Sequence, residues 1–283
     1  MHLLRPRGGP GAGAGARVTG TRTALVTGAS SGIGAAVAKA LVGRGYRVFG
    51  TSRNPSSIGD PIAGVEYLAL DLTDPASIEA CAAAAGEVDV LVNNAGESQS
   101  GPIEELPMEA VERLFQTNVF GAVRLTQLVL PGMRARGYGR VVMVGSMLAS
   151  FPLAYRSSYV ATKAAIKGFA TAARREVAPY GVGITTVEPG SISTGIGERR
   201  THYLADGSPY TDEYRTMIAA LDANERAGIT GQKVAETVVK AIEADRPKQL
   251  YAVGSNAPVT FALRRVLPRT MVEKLVARRH GLR

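Results

Sequence analysis

A three-residue apolar run, Ala24-Leu25-Val26, leads straight into Thr27-Gly28-Ala29-Ser30-Ser31-Gly32-Ile33-Gly34. Beyond that turn Ile33, Val37 and Leu41 recur at i, i+4 and i+8, the spacing of one helix face. A strand passing through glycines into an amphipathic helix opens a crossover, and the same alternation continues along the chain. Further strands are expected at Val48-Phe49, Tyr67–Leu70, Val88–Val92, Val141–Val144, Gly183–Val187 and Leu250–Val253. Helices are expected over Gly32–Arg44, Pro75–Ala85, Ser157–Ala178 and Gln232–Ala244, with one or two more within Pro107–Ala135. Pro75 suits a first helical turn, and Thr73 or Asp74 can cap it. The pattern implies an α/β fold: a doubly wound, mostly parallel seven-stranded sheet flanked by helices. The chain of 283 residues is long enough for one large domain or two small ones.

The glycine turn has a chemical use. Glycines let backbone approach a pyrophosphate closely, and the helix start offers free N–H donors and positive potential. The spacing is Gly-x-x-x-Gly-x-Gly, not the usual Gly-x-Gly-x-x-Gly, so a tight turn is the bland alternative. Downstream, Tyr159-Val-Ala-Thr-Lys163 places a phenol and an ammonium one helical turn apart. A nearby cation favours the ionised form of a phenol, which fits it for proton exchange near neutral pH. Taken alone, that spacing is an ordinary helix face.

Together these two motifs resemble the short-chain dehydrogenase/reductase family, in its compact single-domain, Rossmann-type form. Asn93-Asn94-Ala95-Gly96 at the end of strand four, Asn118 in a helix, Ser146 after strand five and 13 residues before Tyr159, and Pro189-Gly190-Ser191-Ile192-Ser193-Thr194 after strand six extend the resemblance over about residues 23–255. It implies catalytic roles for Asn118, Ser146, Tyr159 and Lys163. Tyr159 would be the acid in reduction and the base in oxidation, and Lys163 would assist it and hold the nicotinamide ribose. Ser146 would orient the substrate oxygen, and Asn118 would support a water relay. Singly, Ser146 and Asn118 read as turn caps. A bound nicotinamide dinucleotide would then lie against Gly28, Ser30, Ser31, Gly32, Ile33, Gly34, Asp71, Leu72, Asn94, Ala95, Gly96, Tyr159, Lys163, Pro189, Gly190, Ile192 and Thr194. Helix capping is the alternative for Asp71.

The cofactor can be narrowed. An acid at the end of strand two commonly marks NAD, but no Asp or Glu occurs between Thr23 and Gly59. Thr51-Ser52-Arg53-Asn54 stands there instead, and Arg53 can pair with a 2′-phosphate. NADP(H) is expected over NAD(H). A substrate site is expected at Ser146, Met147, Phe151, Leu153, Tyr155, Tyr159, Ile192 and Ile196, beneath a lid at 195–231. No Arg or Lys lies between Val141 and Tyr155, which points to a hydrophobic ketone or alcohol, steroid-, retinoid- or lipid-like. A sensor or scaffold, or a carbon–carbon double-bond reductase, are the alternative functions.

Charge sits at the ends. The net charge is +9, with +4 in residues 1–22 and +6 in 264–283, leaving a body at −1 that lacks the basic face of a nucleic-acid reader. The first 22 residues are Gly-, Ala-, Arg- and Pro-rich and expected to be disordered. Cys81 is the single cysteine, expected to be a buried apolar group, and His2, His202 and His280 lie too far apart in sequence to suggest a metal site. Neither a membrane span nor a secretory signal is visible, so a cytoplasmic location is expected. The extension at 256–283 carries Met271, Val272, Leu275 and Val276 beside Lys274, Arg278 and Arg279. It resembles the tails of hydroxysteroid- and retinol-dehydrogenase-like members. Such a basic amphipathic helix can lie on an anionic membrane, close a substrate mouth or pack on another subunit, membrane contact being the less favoured. A homo-oligomer, dimer or tetramer, is expected, and alanine-rich Ala161–Ala173 suits such packing or burial within one subunit.

Overall fold

The computed structural model describes residues 20–282, so the expected disordered tail lies, for residues 1–19, outside the described residues. Seven strands form the central sheet: β1 (Thr23–Val26), β2 (Arg47–Ser52), β3 (Val65–Ala69), β4 (Val90–Asn93), β5 (Gly139–Val144), β6 (Val182–Pro189) and β7 (Leu250–Val253). Their order is β7-β6-β5-β4-β1-β2-β3, and every neighbouring pair is parallel. The helices α1 (Gly32–Val42), α2 (Pro75–Ala85), α3 (Met108–Phe115), α4 (Gly121–Arg136), α5 (Ser157–Val177) and α7 (Gly231–Glu243) accompany the sheet. This is the Rossmann-type doubly wound architecture.

Alternation along β1 shows how the two faces are filled. Ala24 and Val26 pack with Val37 and Leu41 of α1 and with Val234 and Val238 of α7. Leu25 points the other way, into a core with Ile78, Leu125, Met133 and Ile166 from α2, α4 and α5. All these side chains are essentially fully buried. Cys81 belongs to the second core, where burial pushes its thiol up to about 11. Asp74, not Thr73, caps α2, its carboxylate accepting from the Ala76 N–H at 3.0 Å with Pro75 in the first turn. Between α3 and α4 the chain widens into a π-helical turn, Gln116–Phe120, centred on Asn118. The stretch Pro107–Ala135 is therefore two α-helices joined by one wide turn. Such turns often accompany functional positions.

The strand order reverses between β1 and β4, and the crevice beyond their carboxyl ends is where this architecture binds ligands. Beside that crevice, α6 (Thr211–Arg226) and the C-terminal α8 (Ala257–Val266) and α9 (Arg269–Arg279) contribute Leu221, Glu225, Thr260, Val276 and Arg279 to a neighbouring cavity. Among the described residues no helix is long and apolar enough to cross a membrane, and no His/Cys/Asp/Glu group could hold a metal ion.

Candidate active site

The turn after β1 is built for close approach. Gly28 has φ +67°, in the left-handed region that favours glycine. A Cβ on Gly34 would stand 2.2 Å from the Gly28 carbonyl oxygen and 2.5 Å from Asn94 Nδ2, so α1 and the turn touch where only hydrogen fits. Thr27, 1% exposed, ties the turn to the end of β4. Its hydroxyl accepts from the Asn94 and Ala95 N–H groups, each at 2.9 Å, and the Asn94 amide donates to the Thr27 carbonyl at 2.9 Å. Asn94 thus braces the turn. Thr27 is absent from the sequence-derived set, although a buried hydroxyl ending an apolar strand is a readable signal. Ser31 precedes α1 in extended conformation without a side-chain cap, and the first turn of α1 contains no acid. Its free N–H groups and positive dipole end suit an anion.

A cleft of about 1050 Å³ runs over this turn. Gly28, Ser30, Ser31, Gly32 and Ile33 line one side, and Asn94, Ala95, Gly96, Thr194 and Ile196 another. Arg53, Asp71 and Leu72 line it at the β2 and β3 ends, with Arg53 exposed. Hydrogen bonds from the Thr73 hydroxyl at 2.7 Å and the Thr73 N–H at 2.8 Å hold the Asp71 carboxyl below the usual carboxylate range. Asp71 closes its own turn, while Asp74 caps α2.

A second cavity of about 190 Å³ joins the first through Ile33, Asn94, Gly96, Thr194 and Ile196. Ser146, Tyr159 and Lys163 all line it, with Pro189, Gly190 and Ile192 among its other walls. Tyr159 and Lys163 are each 7% exposed on one face of α5. Lys163 Nζ donates to the Val144 carbonyl at 3.1 Å and lies 5.7 Å from the Tyr159 ring centroid. Ser146 Oγ accepts from the Leu148 N–H at 3.2 Å, so it caps a turn while lining the pocket, with its own hydrogen free to donate.

Asn118 lines neither cavity. It stands behind Gly96-Glu97, its Oδ1 accepting from the Glu97 N–H at 2.8 Å and its Nδ2 donating to the Glu97 carbonyl at 3.0 Å and to Thr162 Oγ1 at 3.2 Å. A Cβ on Gly96 would meet Asn118 Oδ1 at 2.9 Å and Lys163 Nζ at 3.7 Å, so the amide and the ammonium flank that glycine.

The substrate-side residues divide. Met147, Phe151 and Ile196 line the inner pocket. Tyr155 does not: with φ +62° it turns toward the start of α6, where its ring meets Tyr210 at 6.2 Å and Tyr214 at 5.7 Å and its hydroxyl donates to Glu213. Leu153 likewise packs with Tyr214, Met217 and Leu221 of α6. The extension forms a roof. Val272 and Val276 pack over Met147 and Phe151, and Val276, Arg279 and His280 line the pocket. Met271 and Leu275 face outward, so the expected stripe is split between a buried and an exposed side. The stretch 141–155 does lack cations, but Arg156 follows it at once and lines the pocket, and Arg279 reaches it from α9. Arg156 carried no recognisable pattern in the sequence, whereas Arg279 belongs to the basic helix expected at 256–283.

The glycine turn, the uncapped start of α1 and a cleft continuous with the Ser146–Tyr159–Lys163 pocket fit a dinucleotide. The sequence profile of the short chain dehydrogenase family matches residues 22–204. The chain is 38% identical to a 3-oxoacyl-[acyl-carrier-protein] reductase of Vibrio cholerae, over 75% of this chain and 93% of that protein. It is 32% identical to a 3-ketodihydrosphingosine reductase of Bacteroides thetaiotaomicron, over 84% of this chain and 90% of that protein. The crystal structure of a short-chain dehydrogenase from Streptomyces avermitilis superposes with a TM-score of 0.80 at 33% identity, covering 92% of this chain and 98% of that one.

Proposed function

The chain belongs to the short-chain dehydrogenase family, and from that premise we propose that it is an NADP(H)-dependent oxidoreductase interconverting a ketone and an alcohol on a hydrophobic, lipid-like body. One observation carries the reading: Ser146, Tyr159 and Lys163 line a single pocket that opens onto the glycine turn. When bound, the cofactor supplies the hydride. Tyr159 gives its hydroxyl proton to the carbonyl oxygen in reduction and takes it back in oxidation. Ser146 donates to the same oxygen and holds the carbonyl in place. Lys163, buried and fixed on the Val144 carbonyl, holds its ammonium group beside the phenol. Asn118 fixes the backbone at Glu97 behind that charge; its part in a proton relay rests on the family resemblance.

Arg53 on the cleft wall and the lack of any acid between Thr23 and Gly59 support NADP(H) over NAD(H). Met147, Phe151, Ile192 and Ile196 support an apolar substrate body. Two relatives are named for a keto group at position 3 of an acyl or sphingoid chain, which favours a lipid-like ketone over a steroid or retinoid. We place the enzyme in the cytoplasm as a homo-oligomer, with the 256–283 extension serving as a pocket roof and not as a membrane anchor.

The test follows oxidation of NADPH or NADH with 3-ketodihydrosphingosine, a 3-oxoacyl thioester, a steroid ketone and an enone. NADPH-dependent reduction of a 3-keto lipid is the expected result. Reduction of the enone alone would indicate a double-bond reductase. Cofactor binding with no turnover of any ketone would indicate a sensor, and equal efficiency with NADH would remove the role of Arg53.

A further inference from the structure

Arg156 immediately precedes α5 and is 3% exposed. Its guanidinium carbon lies 4.3 Å from the Tyr159 ring centroid, nearer than the Lys163 ammonium at 5.7 Å. Nη1 is pinned by three acceptors on one segment: Ser98 Oγ at 3.1 Å, the Gln99 carbonyl at 3.1 Å and Ser100 Oγ at 2.9 Å. Nε is buried without a partner, and none of these bonds is to a carboxylate. A buried cation held by neutral acceptors and one orphaned donor is a poor way to stabilise a fold. The ring beneath it is its most distinctive contact. The pinning segment continues into the lid base, because Gln99-Ser100 pairs with Thr201-His202.

We propose that Arg156 is a positioning residue for Tyr159: its anchored guanidinium fixes the plane of the phenol in the pocket and presents the ionised hydroxyl with a second cation besides Lys163. The proposal rests on the reading of Tyr159 as the acid/base. Burial pushes the Arg156 guanidinium down to about 10, which leaves it charged at neutral pH. The other charged or titratable groups at this site are Glu97 after β4, Arg200 before α6, Tyr214 and Glu225 on α6, Arg279 at the end of α9 and His280 just beyond it. Arg200 Nη2 is paired with Glu225 at 2.7 Å. Over the Tyr159 ring itself, the cations recorded among the described residues are Arg156 and Lys163.

Tyrosinate absorbance measured as a difference, native minus Tyr159→Phe, isolates one ionisation step in the apo protein. The same difference in the Arg156→Met background is expected to place that step about one pH unit higher, because a cation within about 4–6 Å favours an ionised acid over its neutral form by about one to three pH units. Arg156→Lys, which keeps the charge, is expected to restore it partly. Ser98→Ala/Ser100→Ala removes two of the three anchors without touching ring or charge, and is expected to lower kcat for the ketone that the native enzyme reduces while NADPH affinity holds. That pair carries the test if Arg156→Met fails to fold. An unmoved ionisation step in Arg156→Met, or native kcat in the serine pair, would overturn the proposal. Full turnover in Tyr159→Phe would instead sink the acid/base reading beneath it.

Discussion

Gly34→Ala sets two effects against each other, and the structure decides the sign. Gly34 is the third residue of α1, where alanine is favoured over glycine by about 1 kcal/mol of helix propensity. On propensity alone the variant gains stability. The new methyl, however, would stand 2.2 Å from the Gly28 oxygen, 2.5 Å from Asn94 Nδ2 and 2.8 Å from the Gly28 carbonyl carbon, where ordinary contact begins at 3.4 Å. Relief needs a shift of more than an ångström, and two of the three atoms are backbone. The third is the amide that braces the turn through Thr27. Overpacking of this kind costs about 1–3 kcal/mol, and more where the neighbours cannot yield. With two backbone atoms in the way the loss lies at the upper end of that range and exceeds the gain, leaving a net cost of about 2 kcal/mol and a displaced phosphate turn. Denaturant titration should show the lower stability with an unchanged m-value. Calorimetry should show NADPH affinity falling by about tenfold or more, tenfold being 1.4 kcal/mol. A Gly34→Ala protein as stable as the native one, binding NADPH equally well, would refute the reasoning.

Arg53→Glu should weaken NADPH by about tenfold or more, the worth of a charge-assisted hydrogen bond, and leave NADH little changed; parallel titrations of the two cofactors check it. Burial lowers the pKa of both His202 before α6 and His280 after α9 below the ordinary imidazole value of 6.5, so the folded state favours their neutral forms. The unfolded chain then binds more protons, and the stabilising contribution, complete above 6.5, is lost as pH falls through the lower folded values. Melting temperature should accordingly drop between about pH 7.5 and about pH 5, and His202→Gln/His280→Gln should flatten that slope. Burial also pushes Cys81 up to about 11, so a thiol reagent near neutral pH should label it only after denaturation.

Local patterns were legible in the sequence wherever period and turn chemistry agree. Strand β1, α1 and the glycine turn between them follow from residues 24–41 alone, because apolar alternation, helix spacing and glycines point to one crossover. Edges slipped by a few residues where ladder pairing, not composition, sets the end, as at Arg47–Ser52 and Val65–Ala69. The π-turn around Asn118 was not legible, since Gln116–Phe120 has no composition that separates a wide turn from an ordinary one. Tertiary geometry decided the remaining differences. Tyr155 left the pocket because a positive φ turns it toward α6. Arg156 entered it because the 98–100 segment supplies acceptors 56 to 58 residues away in sequence, which no local pattern reveals. The C-terminal stripe offered three fates, and only packing of Val272 and Val276 on Met147 and Phe151 shows that it covers the pocket.

Single-turnover oxidation of bound NADPH by a 3-keto lipid, with Tyr159→Phe beside the native enzyme, tests most directly whether the pocket beside the glycine turn is a proton-and-hydride site. The account predicts a rate about 10²–10⁴-fold lower in the variant, with NADPH affinity unchanged. A variant that transfers hydride as fast as the native enzyme would contradict it.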